Sequence, residues 1–97
     1  MIGGEGQVNY AAANGALISA TKAMASEVGK RNITVNAVAP GYIRSKMTAN
    51  LKEDELSKFI PSKRIGEPEE VADLVSFLMS KKASYINGEV IKISGGL

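Results

Sequence analysis

The hydrophobic positions of the chain fall into helical and strand patterns that alternate along the sequence. An alanine-rich stretch from Tyr10 to about Lys30 places its apolar residues at helical spacing, and Asn9 before it is a favourable N-cap. The preceding residues, 1–9, are rich in glycine and are predicted to form a loop. The short β-branched run Ile33–Ala39 then predicts a strand that ends at Pro40.

In the second half of the chain a helix is again followed by a strand, and a further weakly helical segment precedes them. Residues 48–60 show a weak helical periodicity among many charged positions. Pro68 suits the first position of a clearer helix that ends near Ser80, and a strand is predicted over Glu89–Ile93. A strand, a helix and a second strand in this order predict two parallel neighbours joined by a right-handed crossover, and therefore an α/β fold.

Composition excludes several classes of chemistry. The 97 residues include neither cysteine nor histidine, so disulfides, thiolate zinc sites and imidazole catalysis are excluded, and no metal site is predicted. The formal net charge is only +2, and the basic residues do not alternate with aromatic ones, so nucleic acid is not an expected partner. We find no apolar segment long enough to span a membrane and no secretory signal, so the expected location is the cytoplasm, or a plastid or other organelle matrix.

Four motifs occur in a fixed order along the chain: N-Y-A-A-A at 9–13, I-T-V-N-A-V-A-P-G at 33–41, P-E-E-V-A at 68–72 and Y-I-N-G-E-V-I at 85–91. Together they resemble the C-terminal part of a short-chain dehydrogenase/reductase, and within that family the 3-oxoacyl-[acyl-carrier-protein] reductases. The resemblance covers all 97 residues but less than half of a family member. It implies that residues 1–97 are a single partial domain, the C-terminal part of a Rossmann-type doubly wound parallel sheet, with 42–66 as a substrate-lid-like segment.

The resemblance also implies a reaction, the NADPH-dependent reduction of a carbonyl in fatty acid synthesis. Tyr10 is at the position of the family's proton donor, which also contacts the cofactor. The family lowers the pKa of this tyrosine with a lysine four residues on, where this chain has Asn14. A cation about 4 Å away is worth roughly 4 kcal/mol at an effective dielectric constant of 20, and a neutral amide does not supply it. Asn14 could still bond a ribose hydroxyl, the second role of that lysine.

The remaining cofactor contacts implied by the resemblance are in the turn after the first strand. They are Pro40, Gly41, Ile43 and Ser45, and Ser45 replaces the usual threonine. Without the resemblance, Pro40-Gly41 reads as a plain turn that ends a strand. The family's carbonyl-binding serine and pyrophosphate-binding turn have no counterpart in these 97 residues. The implied cofactor is therefore NADP for the family, and the resemblance does not extend to NADP binding by this chain alone.

Two functions from different classes remain open. The chain is either a piece of an NADP-dependent reductase, inactive alone, or a non-catalytic module that associates with itself. The expected partner is a second copy or the N-terminal half that the family has. Arg31 matches a residue that docks acyl carrier protein in these reductases, although it also suits the end of a helix. Gly15 inside the first helix predicts that another backbone packs closely there.

Overall fold

The computed structural model describes residues 4–46 and 53–97, the side chains of 4–10 excepted. This part of the chain contains three α-helices and two strands: α1 (Gly4–Val28), β1 (Ala37–Pro40), α2 (Glu53–Phe59), α3 (Pro68–Leu78) and β2 (Val90–Ile93). Two short 3-10 turns follow α1 and α3, at Gly29–Arg31 and Lys81–Ala83. The start of the predicted 48–60 helix lies outside the described residues. Among the described helices, none has the length and apolar character needed to cross a membrane.

Helix α1 begins earlier than the sequence predicted. The glycine-rich residues were expected to form a loop capped by Asn9, but the helix begins at Gly4 and Asn9 lies inside it. Adding a residue to an existing helix costs far less than starting one, and Glu5 and Gln7 are good helix formers. The alanine-rich helix therefore extends backward through glycines that would not have begun a helix by themselves.

Helix α1 ends at a left-handed residue. After the 3-10 turn Gly29–Arg31, Asn32 has φ +62°, and its N–H donates to the Gly29 carbonyl at 3.0 Å. Asparagine tolerates this conformation better than most residues, so it ends the helix without a glycine. The predicted boundary near Lys30 is confirmed.

Strand β1 is shorter than the predicted strand Ile33–Ala39, because it begins only at Ala37. The residues before it bond to a loop rather than to another strand. The Val35 N–H donates to the Asn87 side-chain oxygen Oδ1 at 2.9 Å, and the Val35 carbonyl accepts from the Gly88 N–H at 2.8 Å. A side chain thus takes the place of a backbone partner, and regular pairing between the strands begins only at Ala37.

A second asparagine makes the matching contacts from the opposite segment. Asn36 Nδ2 donates to the Ile86 carbonyl at 3.0 Å, while Asn36 Oδ1 accepts from the Glu89 N–H at 3.0 Å. We call these side-chain contacts of Asn36 and Asn87, together with the Gly88–Val35 bond, the asparagine clamp. It joins residues 35–36 to 86–89 immediately before the two strands pair.

The two strands form a two-stranded parallel sheet. The Ala37 N–H donates to the Glu89 carbonyl at 2.8 Å, and the Gly41 N–H donates to the Ile93 carbonyl at 3.0 Å. The pairing advances by four residues on both strands in the same direction, which is the parallel arrangement. The predicted α/β class and the parallel neighbours are confirmed.

Helix α3 begins where its sequence indicates. Pro68 occupies the first turn, and Glu67 and Glu70 form a capping box in which each side chain accepts from the other's backbone N–H. The helix ends at Leu78, slightly before the expected Ser80, because the Ser80 N–H donates to the Phe77 carbonyl at 3.0 Å. This three-residue bond tightens the chain into the 3-10 turn that follows.

The chain divides into two compact units. One comprises Met1–Ala37 and Ser84–Val90, and the other comprises Val38–Ala83 and Ile91–Leu97. In the first unit Thr21 and Ala25 of α1 are buried, and the Thr21 hydroxyl donates to the Leu17 carbonyl at 2.7 Å. Among the described residues of the second unit, the buried apolar side chains are Ile60, Ile65 and Ala83.

The expectation of a close neighbour at Gly15 is not met within the described chain. A Cβ built at Gly15 has no other atom of the described residues within 4 Å, apart from its chain neighbours and its own helix backbone. Gly88 differs, because its φ is +81° and a Cβ there would lie 3.4 Å from the Ala25 Cβ. The two glycines therefore have opposite structural roles.

This contrast predicts opposite effects of alanine. Gly15→Ala should raise the free energy of unfolding by about 1 kcal/mol, since it improves helix propensity at an open position. Gly88→Ala should lower it by about 1–2 kcal/mol, since a Cβ is disfavoured at positive φ. Urea unfolding followed by circular dichroism measures both. A destabilising Gly15→Ala would show that a neighbour does pack on that position.

Candidate functional site

Tyr10 and Asn14, which the sequence resemblance assigns to catalytic positions, lie on helix α1. Positions 10 and 14 are one helical turn apart and share a face, as the Y-A-A-A-N spacing predicts. Asn14 is half-buried, whereas the Tyr10 side chain is outside the described part of the chain. Lys22 is twelve residues beyond Tyr10, about 18 Å along the helix axis, so it is too far along α1 to take the place of a cation at position 14.

The turn after β1 is held tightly against the end of β2. Gly41 donates its N–H to Ile93, and a Cβ at Gly41 would come within 2.9 Å of the Ser94 Cβ and 3.0 Å of its Cα. Real Cβ atoms essentially never come within 3.0 Å of another heavy atom in this way, so a side chain at position 41 would force Ser94 or the loop to shift. The Pro40-Gly41 turn is thus more than the end of a strand, since its path is set by contact with Ser94.

The residues after Gly41 are fixed by a parallel bridge to Gly66. The Gly66 N–H donates to the Tyr42 carbonyl at 2.9 Å, and the Arg44 N–H donates to the Gly66 carbonyl at 2.8 Å. In this pattern the N–H and C=O of the residue between them, Ile43, point away from Gly66. The loop therefore presents one backbone donor and one backbone acceptor on its other side.

A small cleft lies beside this loop, within the second unit. Its volume is about 40 Å³, and its walls include Ile43, Ser62, Arg64 and Ser94. On the measure by which roughly 10–15 Å³ suffices for one water, the cleft holds a few water molecules. It is too small to enclose a dinucleotide or a fatty acyl chain.

Arg44 connects the loop to two helices, a role that the sequence analysis missed. Its guanidinium donates to both carboxylate oxygens of Glu53 in α2, from Nε at 2.9 Å and from Nη2 at 2.8 Å. Its Nη1 also pairs with Glu67, the N-cap of α3. Hydrogen bonding to Arg44 lowers the pKa of Glu53, and the same bond raises the pKa of Arg44. The acidic first turn of α2 is a weak signal for this contact, because it does not identify the partner.

A second arginine reinforces the start of α3. Arg64 donates to both carboxylate oxygens of Glu70, at 2.7 and 2.9 Å, and Glu70 also accepts from the Glu67 N–H at 3.0 Å. The hydrogen bond from Arg64, followed by the one from the Glu67 backbone, lowers the pKa of Glu70 to about 2. Both contacts favour the ionised carboxylate.

The sequence-predicted site residues are divided between the two units. Tyr10, Asn14 and Arg31 belong to the first unit, and Arg31 is exposed in the 3-10 turn after α1. The four residues of the predicted cofactor loop belong to the second unit: Pro40, Gly41, Ile43 and Ser45. Each group is organised locally as its spacing indicates, while the roles of these residues remain predictions.

Comparison with known proteins identifies the class. The sequence model of the family described as enoyl-(acyl carrier protein) reductase matches residues 1–97. A solved short-chain dehydrogenase/reductase from Serratia marcescens, a double mutant, superposes with a TM-score of 0.81 at 39% identity, over 90% of this chain and 36% of that one. The chain belongs to the short-chain dehydrogenase/reductase family, and the expected partial Rossmann-type fold is confirmed.

Within this family, the chain is similar to several individual reductases. The chain is 51% identical to the 3-oxoacyl-[acyl-carrier-protein] reductase of Aggregatibacter actinomycetemcomitans, over 100% of this chain and 40% of that protein. It is 54% identical to carbonyl reductase family member 4 of Xenopus laevis, over 98% and 39%. The solved 3-oxoacyl-[acyl-carrier protein] reductase of Brucella melitensis superposes with a TM-score of 0.83 at 41% identity, over 91% and 34%. The chain thus spans about 40% of the length of the curated relatives it matches.

The geometry of Glu70 predicts a pH dependence. Because its folded-state pKa is below the ordinary value of 4.5, its contribution to stability is complete above pH 4.5 and is lost as the pH falls toward about 2. Glu70→Gln should lack this part of the acid-induced decline, and Glu69→Gln is the matched control that should keep it. The test compares the urea midpoints of the two variants and the unaltered chain across this pH range. Identical pH profiles for Glu70→Gln and the unaltered chain would contradict the prediction.

Proposed function

We propose that this chain provides the proton-donor helix and the nicotinamide loop of an NADP-dependent 3-oxoacyl-[acyl-carrier-protein] reductase, with its catalytic lysine replaced by Asn14. The observation that carries the proposal is the glycine loop Gly41–Arg44, which contact with Ser94 and the bridge to Gly66 hold in one shape. Two relatives named as such reductases, which match 100% and 91% of this chain, support the same assignment. The chain by itself is proposed to be inactive.

The loop fits the role of holding a nicotinamide carboxamide. A carboxamide has one donor and one acceptor, and the Ile43 backbone offers the complementary pair on the side away from Gly66. The absence of a side chain at Gly41 allows the loop to lie this close to Ser94. When bound, the nicotinamide supplies the hydride, and the loop only orients it.

Asn14 does not fit the role of the lysine. Tyr10 is proposed to give its phenolic proton to the oxygen of the reduced carbonyl, and an isolated tyrosine, with a pKa of about 10, is a poor acid at neutral pH. The neutral amide of Asn14 adds no positive charge beside it, and α1 holds position 14 on the same face as position 10. The helix keeps the geometry of the site but lacks the electrostatic element that tunes it.

Docking of acyl carrier protein at Arg31 belongs to the same proposal. Arg31 is exposed beside Lys30 in the 3-10 turn after α1, so two cations occupy one end of the helix. An acidic carrier would be attracted to such a pair, mainly through its rate of encounter.

A chimera tests the enzymatic proposal. Residues 1–97 are joined to the part of the Aggregatibacter reductase that they do not match, and NADPH oxidation with a 3-oxoacyl substrate is followed. The chimera with Asn14 should be nearly inactive, and Asn14→Lys should raise the rate by about 100-fold or more, within the range of general acid catalysis. Tyr10→Phe in the Asn14→Lys chimera should abolish this gain.

Either of two results would contradict the proposal. One is equal activity with Asn14 and with lysine. The other is an Asn14→Lys chimera that folds and binds NADPH but does not oxidise it. The 97-residue chain carrying Asn14→Lys alone should show no oxidation, because it holds no carbonyl-binding serine and no pyrophosphate-binding turn.

One observation favours the alternative, a non-catalytic module that associates with itself. Helix α1 exposes Leu17, Ile18 and Met24, with 38%, 37% and 54% of their surface accessible. Gly15 on the same helix is open to close approach by another backbone. Several large apolar side chains exposed on one helix are consistent with an interface.

Sedimentation tests this alternative. If α1 forms the interface, Ile18→Lys should weaken association, whereas Ala23→Lys, a matched charge at an exposed position on another face of the helix, should not. A chain that is monomeric at all concentrations and unfolds cooperatively would exclude the module.

A further inference from the structure

The Asn87-Gly88 dipeptide takes part in the asparagine clamp, and its sequence is also chemically prone to modification. Asparagine followed by glycine is prone to deamidation, because no Cβ hinders attack by the glycine nitrogen on the asparagine side chain. The Gly88 nitrogen attacks Asn87 Cγ and loses its proton, a C–N bond forms, and ammonia leaves. Water then opens the resulting succinimide to aspartate or isoaspartate, so the net change is gain of water and loss of ammonia, with no redox step.

Both reacting groups are bonded to one residue, Val35. The Gly88 N–H donates to the Val35 carbonyl at 2.8 Å, and the Asn87 Oδ1 accepts from the Val35 N–H at 2.9 Å. The second bond alone would polarise Cγ and favour attack. The first bond outweighs it, because Gly88 is buried and its nitrogen cannot lose a proton while that N–H is engaged.

The isoaspartate product would not fit in the place of Asn87. Isoaspartate inserts an extra methylene into the main chain between positions 87 and 88. On either side of it, Ile86 and Glu89 are held by the two ends of a single side chain, Asn36. A longer main chain cannot satisfy both ends, so the asparagine clamp would not close again.

We propose that Asn87 is a deamidation site gated by the asparagine clamp, protected while the clamp is closed and modified irreversibly when it opens. The clamp joins segments 50 residues apart in sequence, so its opening is a non-local event. The deamidation rate of Asn87 should therefore be proportional to the fraction of molecules in which the clamp is open.

The chain contains an internal control. Its other Asn-Gly dipeptide, Asn14-Gly15, lies inside α1 and makes none of the clamp's contacts. Deamidation there reports opening of the helix. Trypsin separates the two sites, since Asn87 lies in the peptide 83–92 and Asn14 precedes Lys22.

The experiment follows deamidation at both sites by mass spectrometry in mildly alkaline buffer. The folded 97-residue chain is compared with a synthetic peptide of residues 83–92 in the same buffer. Asn87 in the chain should react at least about tenfold more slowly than in the peptide, which corresponds to an open fraction below about one tenth. Asn36→Ala, which removes two clamp bonds and leaves Val35, Asn87 and Gly88 in place, should speed Asn87 toward the peptide rate and affect Asn14 much less.

Three results would overturn the proposal. The first is a chain that remains folded by circular dichroism but deamidates at Asn87 as fast as the peptide. The second is an Asn36→Ala variant as slow at Asn87 as the unaltered chain. The third is an Asn36→Ala variant that accelerates both sites by the same factor, which would assign the protection to global folding and not to the clamp.

Discussion

The asparagine clamp is the constraint on which the short sheet depends. Two strands of four residues bring few backbone hydrogen bonds, and such a pair is marginal by itself. Asn36 and Asn87 add three side-chain bonds to backbone groups immediately before the strands pair, and these fix the register that the strands then continue. In the same register, the Gly41 N–H donates to the Ile93 carbonyl where the loop begins.

The loop and helix α1 contribute different parts of the proposed site. The helix lacks one element that the proposed reaction needs, whereas the loop does not. In the loop, Gly41 lies closer to Ser94 than a side chain would allow without a shift, and the bridge to Gly66 leaves the Ile43 N–H and C=O pointing away from Gly66. Helix α1 places positions 10 and 14 one turn apart, as the proposed proton donor and its neighbour require, but Asn14 carries no charge. The proposal therefore separates the spacing of the site from its electrostatics, and it attributes the difference between an active and an inactive site to the side chain at position 14.

Sequence patterns predicted the elements whose signals are local. Pro68 with the acidic residues after it located the start of α3, and Pro40-Gly41 located the end of β1. The predicted start of α1 was wrong because extending an existing alanine-rich helix costs little, even through glycines of low helix propensity. Gly15 was misread because a small residue reveals an available approach but not whether a neighbour uses it.

The contacts that sequence could not predict are those between distant residues. Val35 with Asn87 and Arg44 with Glu67 pair across long stretches of chain, and either asparagine could equally have been a turn residue. Among the site residues, the spacing of Tyr10 and Asn14 and the Pro-Gly turn followed from the sequence. The cleft beside Ser62 and the bridge to Gly66 required the fold.

Amide hydrogen exchange tests most directly the claim that the clamp sets the sheet and, through it, the loop. The account predicts that the amides of Gly88, Ala37 and Gly41 are among the slowest in the chain and that Asn36→Ala accelerates all three. Rapid exchange at Gly88 and Ala37 in the unaltered chain, with protection confined to the helices, would contradict it.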